Sequence, residues 1–196
     1  ASVIFIDYDL DGFLDIYVAT YLQYNPATHC TDKAGRPEYC GPKSFAGLPD
    51  VLYHNNHNAT FKDVSTTSHI ASSSLKGLGV VSADFNHDLY PDIYVANDGE
   101  ANHLWINQKD GTFRDEAMEL GAAVNATGQP EASMGVSAGD IDGDHVLDFF
   151  MTHLRDEKNT LYRNLGAVGF QDDSWNTGLA APSIPFTGFG TGFFDF

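Results

Sequence analysis

Short apolar runs alternate with polar stretches along the whole chain: SVIFI, DIYVA and VLYH, then GLGVVSA, DIYVA and HLWI, then DFFM and TLY. Runs this short, rich in Val, Ile, Tyr and Phe, predict strands rather than helices. None approaches the roughly eighteen residues of a membrane-spanning helix. Two polar signatures repeat between them. The first, DYDLDGFLD, DFNHDLYPD and DIDGDHVLD, leads directly into an apolar run. The second reads LYHNNHNATFKDV (52–64), LWINQKDGTFRDE (104–116) and LYRNLGAVGFQDD (161–173), with Leu, an aromatic, Asn at the fourth place, a turn, Phe and an acidic tail. Asp110-Gly111 is a hairpin signal, and Asn58 and Gly166 occupy the equivalent turns. Each unit therefore predicts strand, acidic loop, strand, strand, tight turn, strand, which is a four-stranded antiparallel sheet. Only EAMELGAA (116–123) has a helix-like composition, and it reads equally well as a connecting loop.

The acidic loops begin at Asp7, Asp84 and Asp140, and the approach recurs in PFTGFGTGFFDF, where Gly190 and Asp195 mimic Gly79 before Asp84 and Gly135 before Asp140. The loop starts are 77, 56 and 55 residues apart, the first interval being lengthened by an insert at 23–49 between second and third strands. Four-strand repeats of about 55 residues are the blades of a β-propeller, which closes with about 4 to 8 of them. The expected fold is thus all-β: three blades at 1–65, 78–117 and 134–174, and the start of a further one at 186–196. Further blades are expected, either in a longer polypeptide, which the ending inside a loop favours, or from associating copies.

Composition narrows the partners. With 42% hydrophobic residues the chain can bury a core, and with 27 acidic against 10 basic residues its net charge is −17. That sign opposes nucleic-acid binding and fits a cation-loaded, extracellular or very soluble protein. Fourteen Phe and nine Tyr exclude an acidic disordered tail.

Acidic side chains this crowded repel unless a positive charge sits among them. Loop positions 1, 3, 5 and 9 carry Asp7, Asp9, Asp11 and Asp15; Asp84, Asn86, Asp88 and Asp92; and Asp140, Asp142, Asp144 and Asp148. Backbone carbonyls at position 7 (Phe13, Tyr90, Val146) would add a ligand each. All-oxygen sets of this kind suit Ca²⁺; Mg²⁺ demands tighter octahedral geometry and Zn²⁺ prefers His and Cys. An EF-hand is excluded, since position 12 is Val18, Val95 or Met151 instead of Glu and the flanks are strands. A solvated acidic turn accounts for one such loop more easily than for three of identical spacing. About three Ca²⁺ per chain would bring the net charge from −17 to −11. The second loop is expected to bind most weakly, because it has Asn86 in place of one carboxylate and Leu89 where the first loop has Gly12. The third has His145 at that place but Gly143 two positions earlier.

The remaining chemistry is sparse. Cys30 and Cys40 allow a disulfide across a small loop, or two free thiols, but not a CxxC site. Asn58 and Asn125 head N-glycosylation sequons. Tyr21, Tyr24, Tyr39 and Phe45 in the insert are candidates for an exposed contact surface for a protein or glycan ligand. The eight histidines are scattered; His87 and His145 lie in acidic loops, and His153 with Arg155 could open near Asp98 and Glu100. Serine-nucleophile, P-loop and dinucleotide motifs are absent from the sequence. No enzyme is expected, and the alternative is a calcium-dependent lyase or hydrolase of polysaccharides on a propeller scaffold.

GLGVVSADF, DIYVANDGEANHLWIN, DGTFRDEA, GVSAGDIDGD, NTLYRNLG and TGFGTGFFDF, with YCGPKSFAGLPDVLYHNN in the insert, together resemble the FG-GAP (VCBS-type) repeats of integrin-α-like propellers. They are most similar to those of the ASPIC/UnbV (cartilage acidic protein-like) family. The resemblance covers nearly the whole chain. It implies an extracellular or cell-surface propeller stabilised by Ca²⁺ at the loop residues named above, acting in binding, adhesion or assembly. Leu89 and His145 depart from the glycine of the family pattern.

Overall fold

The computed structural model describes residues 2–194. Three antiparallel four-stranded sheets follow one another along the chain, each an up-and-down meander. The first contains β1 (Ser2–Ile6), β2 (Asp15–Ala19), β5 (Val51–Asn55) and β6 (Phe61–Asp63), with the short ribbon β3 (Cys30–Thr31) and β4 (Pro37–Glu38) between β2 and β5. The second contains β7 (Gly77–Ala83), β8 (Asp92–Asn97), β9 (His103–Asn107) and β10 (Phe113–Asp115). The third contains β11 (Val136–Gly139), β12 (Asp148–Met151), β13 (Thr160–Asn164) and β14 (Phe170–Asp172). The protein is all-β, built of propeller-type blades as the strand pattern predicts. Helix is limited to α1 (Ala180–Ser183) and three single 3₁₀ turns among the described residues. Residues 116–123 form turns instead of a helix, because Ala117, Ala122 and Ala123 pack into the core and Gly121 takes a left-handed φ of 77°.

The blades stack face to face, and the period of two along each strand explains how. On β8, Ile93 and Val95 join Tyr17, Leu52 and Phe113 in the core between the first and second blades. Tyr94 and Ala96, on the opposite face, join Phe149, Met151 and Tyr162 between the second and third. All six residues of β8 are accordingly buried, whereas β2 buries every other residue.

The first strands line up side by side, β1 beside β7 and β7 beside β11. Their contacts repeat with the blades. The Ser2 hydroxyl donates to the Leu78 carbonyl at 2.5 Å. One repeat on, the backbones approach so closely that a Cβ at Gly79 would lie 2.5 Å from the Met134 oxygen, and one at Gly135 2.3 Å from the Phe189 oxygen. Those two glycines are therefore steric requirements. The segment around Phe189 thus lies along β11 as β11 lies along β7. The fourth acidic loop expected from Asp195 falls outside the described residues.

The insert is tied by a Cys30–Cys40 disulfide across the β3–β4 ribbon, with 5.2 Å between the Cα atoms. Of the four aromatics expected to form a contact surface only Tyr24 and Tyr39 are exposed. Tyr21 is half-buried because its hydroxyl donates to Asp98 at 2.5 Å, and Phe45 because it packs on Tyr24 at 5.4 Å between ring centroids. Asn58 is exposed in the β5–β6 turn; Asn125 is half-buried, its side-chain oxygen accepting from Thr127 and Gln129.

Candidate metal centres

Each acidic loop joins the first and second strands of its blade, and the three are built alike. The position-1 carboxylate closes the loop by accepting two backbone N–H groups: Asp11 and Gly12 on Asp7, Asp88 and Leu89 on Asp84, Gly143 and His145 on Asp140. The position-5 carboxylate accepts the N–H at position 7: Phe13 on Asp11 at 2.8 Å, Tyr90 on Asp88 at 2.9 Å, Val146 on Asp144 at 2.8 Å. These bonds hold the turns in shape whatever else the carboxylates bind.

The position-9 aspartates are buried. Asp15 and Asp92 are 0% exposed and Asp148 is 2% exposed. One oxygen of each accepts the N–H at position 2 (Tyr8, Phe85, Ile141), and the other accepts the N–H of the fourth-place asparagine (Asn55, Asn107, Asn164). Burial raises all three carboxyls, and Asp92 is pushed up to about 7. Among the described residues no Lys, Arg or His lies within ion-pair distance of Asp92 or Asp148. Buried carboxylates surrounded by further carboxylates and lacking a basic partner are a donor set suited to a hard divalent cation.

The loops differ in how well they converge. Carboxylate oxygens of Asp7, Asp9 and Asp11 lie within 4.8 Å of one another, as do those of Asp140, Asp142 and Asp148. Among the described residues the second loop forms no such group. There the Asn86 amide donates to Asp88 at 3.1 Å, and Lys109 reaches the same carboxylate at 3.4 Å. In the third loop Arg163 pairs with Asp142.

Backbone strain separates the loops further. Position 4 as well as position 6 is left-handed in every one: Leu10 and Gly12, His87 and Leu89, Gly143 and His145. Loops one and three each place one glycine there, and the second has none. Left-handed backbone costs a side-chain-bearing residue about 1–2 kcal/mol. Leu89, at φ 74°, is exposed, so no packing offsets the strain. Leu89→Gly is expected to stabilise the protein by about 1 kcal/mol, read from the urea midpoint. An unchanged or lower midpoint would show the strain to be compensated locally.

Spacing alone does not reveal the role of the repeated asparagine. The Asn107 amide donates to the Tyr8 carbonyl of the preceding blade at 2.8 Å and to Pro91 of its own at 3.2 Å. Asn164 likewise donates to Phe85 of the preceding blade at 3.1 Å and to Leu147 at 3.2 Å. Asn55 donates to Leu14 of its own blade. The asparagine thus links one blade's acidic loop to the next. Asn107→Ala and Asn164→Ala are expected to cost about 2–3 kcal/mol each, and Asn55→Ala about 1 kcal/mol, by urea unfolding. Equal costs at all three would mean that the inter-blade bond contributes nothing.

The polar groups after the second strands do not share one site. Glu100 is engaged by Lys76 at 2.5 Å, and Asp98 by the Tyr21 hydroxyl. His153 is buried against Ser133 at 3.2 Å, and burial together with the Lys158 charge holds it down to about 3, so it is neutral. Arg155, His87 and His145 are exposed, with the His145 Nδ1 3.9 Å from Asp140.

The family model for the FG-GAP-like repeat matches residues 35–95 and 85–151. Cartilage acidic protein 1 of Mus musculus is 28% identical over 106 residues, covering 54% of this chain and 16% of that protein. The Xenopus tropicalis and Homo sapiens proteins of the same name are each 28% identical over 109 residues, with the same shares covered. The chain thus spans 16% of the length of these curated relatives.

Proposed function

The chain belongs to the FG-GAP-like repeat family, and from that premise we propose that it is an extracellular, calcium-stabilised propeller module that binds or assembles and does not catalyse. The observation that carries this reading is the threefold acidic loop, each with a buried ninth-position carboxylate bonded to its own loop and to the third strand of its blade. Ca²⁺ would be held by Asp7, Asp9, Asp11 and Asp15, by Asp84, Asn86, Asp88 and Asp92, and by Asp140, Asp142, Asp144 and Asp148, with the carbonyls of Phe13, Tyr90 and Val146. Bound there, the ion supplies positive charge to a loop that has too little of its own. Lys109 and the two strained residues support a second loop of lowest affinity.

An extracellular setting is supported by the disulfide, by the net charge of −17 and by relatives named cartilage acidic protein. No helix among the described residues is long and apolar enough to cross a membrane. Val3 and Phe5 on β1 are exposed, and Asn55 makes no inter-blade bond, which supports further blades against that face. Tyr24 and Tyr39 on the insert offer a contact surface for a protein or glycan.

Equilibrium dialysis is expected to find about three Ca²⁺ per chain, with half-saturation near 10⁻⁴ to 10⁻³ M and one site filling last. No bound Ca²⁺ in that range would remove the reading. Retention on immobilised matrix proteins or glycans should need Ca²⁺ and weaken in Tyr39→Ala. Release of cleaved glycan would put the polysaccharide-acting enzyme in its place.

A further inference from the structure

The stretch formed by the third strand of each blade and the turn after it lies beside the acidic loop, and what it delivers differs. To the second loop it brings Lys109, to the third Arg163. To the first it brings two imidazoles, His54 and His57. The Nδ1 of His54 lies 3.4 Å from an oxygen of Asp9 and 3.4 Å from one of Asp15. That nitrogen is shielded from water and makes no hydrogen bond. The Nε2 of His57, by contrast, is hydrogen-bonded to Asp11 at 2.5 Å, and its ring is fixed by stacking on Phe13 with centroids 3.9 Å apart.

Ligand atoms of Asp11, His54 and His57 fall within 4.8 Å of one another, and so do those of Asp9, Asp15 and His54. Both groups include His54, whose Nδ1 stands equally far from a carboxylate oxygen of Asp9 and one of Asp15. Hard cations take oxygen, whereas imidazole with carboxylate is the donor set of Zn²⁺ and its neighbours. Ligands about 2.0–2.1 Å from a tetrahedral ion stand about 3.4 Å apart. The spacings around the His54 nitrogen match that edge.

We propose that the first loop is a mixed imidazole–carboxylate site that takes a divalent cation of the zinc class in preference to Ca²⁺. His54 is the imidazole ligand there, alongside carboxylates of Asp9 and Asp15, and His57, bonded to Asp11, is its outer-shell neighbour. The second and third loops do not share this preference: His145 approaches only Asp140, at 3.9 Å and from an exposed position, and among the described residues no imidazole joins either loop's carboxylates in a cluster. With no zinc-class ion present the first loop falls to Ca²⁺, as in the function proposed above, and the inference stands whether or not the other two loops hold Ca²⁺.

Zn²⁺ alone, titrated into the whole chain against a chromophoric chelator with Ca²⁺ in excess, is the test. One tightly held Zn²⁺ per chain is expected, and Co²⁺ in its place should give the visible absorption of a nitrogen-ligated ion. His54→Ala and His57→Ala should each weaken Zn²⁺ binding by about tenfold or more, since even loss of an outer-shell partner costs ~10–100-fold. Arg163→Ala, at the third loop, should leave it unchanged. Thermal unfolding of each variant checks that it is folded. Zn²⁺ that Ca²⁺ displaces, or that both histidine variants bind as the parent does, would overturn the proposal.

Discussion

The stability that millimolar Ca²⁺ adds over a chelator is expected to grow as pH rises from 5 to 8. The sign follows from the buried ninth-position aspartates. Asp92 is fully buried and its carboxyl is pushed up to about 7, first by desolvation; Asp15 and Asp148 are raised by the same cause. In the unfolded chain an aspartate titrates near 3.9. A folded value above the unfolded one means that the native state holds the proton more tightly. The stabilisation is therefore complete below about pH 4 and is lost as pH rises through about 7. For Asp92 alone this amounts to about 2–4 kcal/mol.

Ca²⁺ opposes this dependence because it binds the ionised carboxylate and replaces the proton as the compensating charge. An ion at tenfold excess over its dissociation constant adds about 1.4 kcal/mol per site. Urea unfolding at four pH values, with chelator and with Ca²⁺, reads both effects. Parallel curves in the two conditions would show that the loops do not bind the ion.

Lys158→Met is expected to cost about 3–5 kcal/mol, the usual cost of leaving a buried charge without its partner. The Lys158 ammonium lies 2.8 Å from Asp172 and 3.6 Å from Glu131, and donates to Thr160 at 2.9 Å. All four residues are largely or wholly shielded from water. Burial raises the Asp172 carboxyl, but the bonds from Lys158 and Ser174 outweigh it and hold the group below its ordinary value. Without the lysine two carboxylates face each other in a dry site that links the loop before β13 to the end of β14. Lys158→Met combined with Asp172→Asn should cost less than the two changes summed, because each removes what the other leaves unpaired. A loss under about 1 kcal/mol for the single variant would mean that the pair behaves as a solvent-exposed one.

Side-chain spacing within nine residues is a local matter, and this is why so much of the loops could be read directly. Asp7, Asp9 and Asp11 converge because alternate positions of one tight turn face the same way. The apolar run that follows enters a sheet because its residues are β-branched or aromatic. The chain itself thus determined the strand order, the all-β class, the family and the position of the acidic turns. The left-handed residues at position 4 were hidden, since Leu10 and His87 carry no turn signal of their own; the need for that conformation comes from the closed loop around them.

Only the tertiary structure decided what reaches each loop from elsewhere. His54 meets Asp9 from forty-five positions away, Asn107 meets Tyr8 from ninety-nine, and Lys158 meets Asp172 through the return of a whole hairpin. Likewise β2 and β8 share the sequence DIYVA, yet β8 is wholly buried and β2 is not, because β8 lies between two blades. Which partner a side chain meets at such distances depends on sheet register and on how blades stack. Those are set by the burial of many residues together, and no short stretch of sequence carries them.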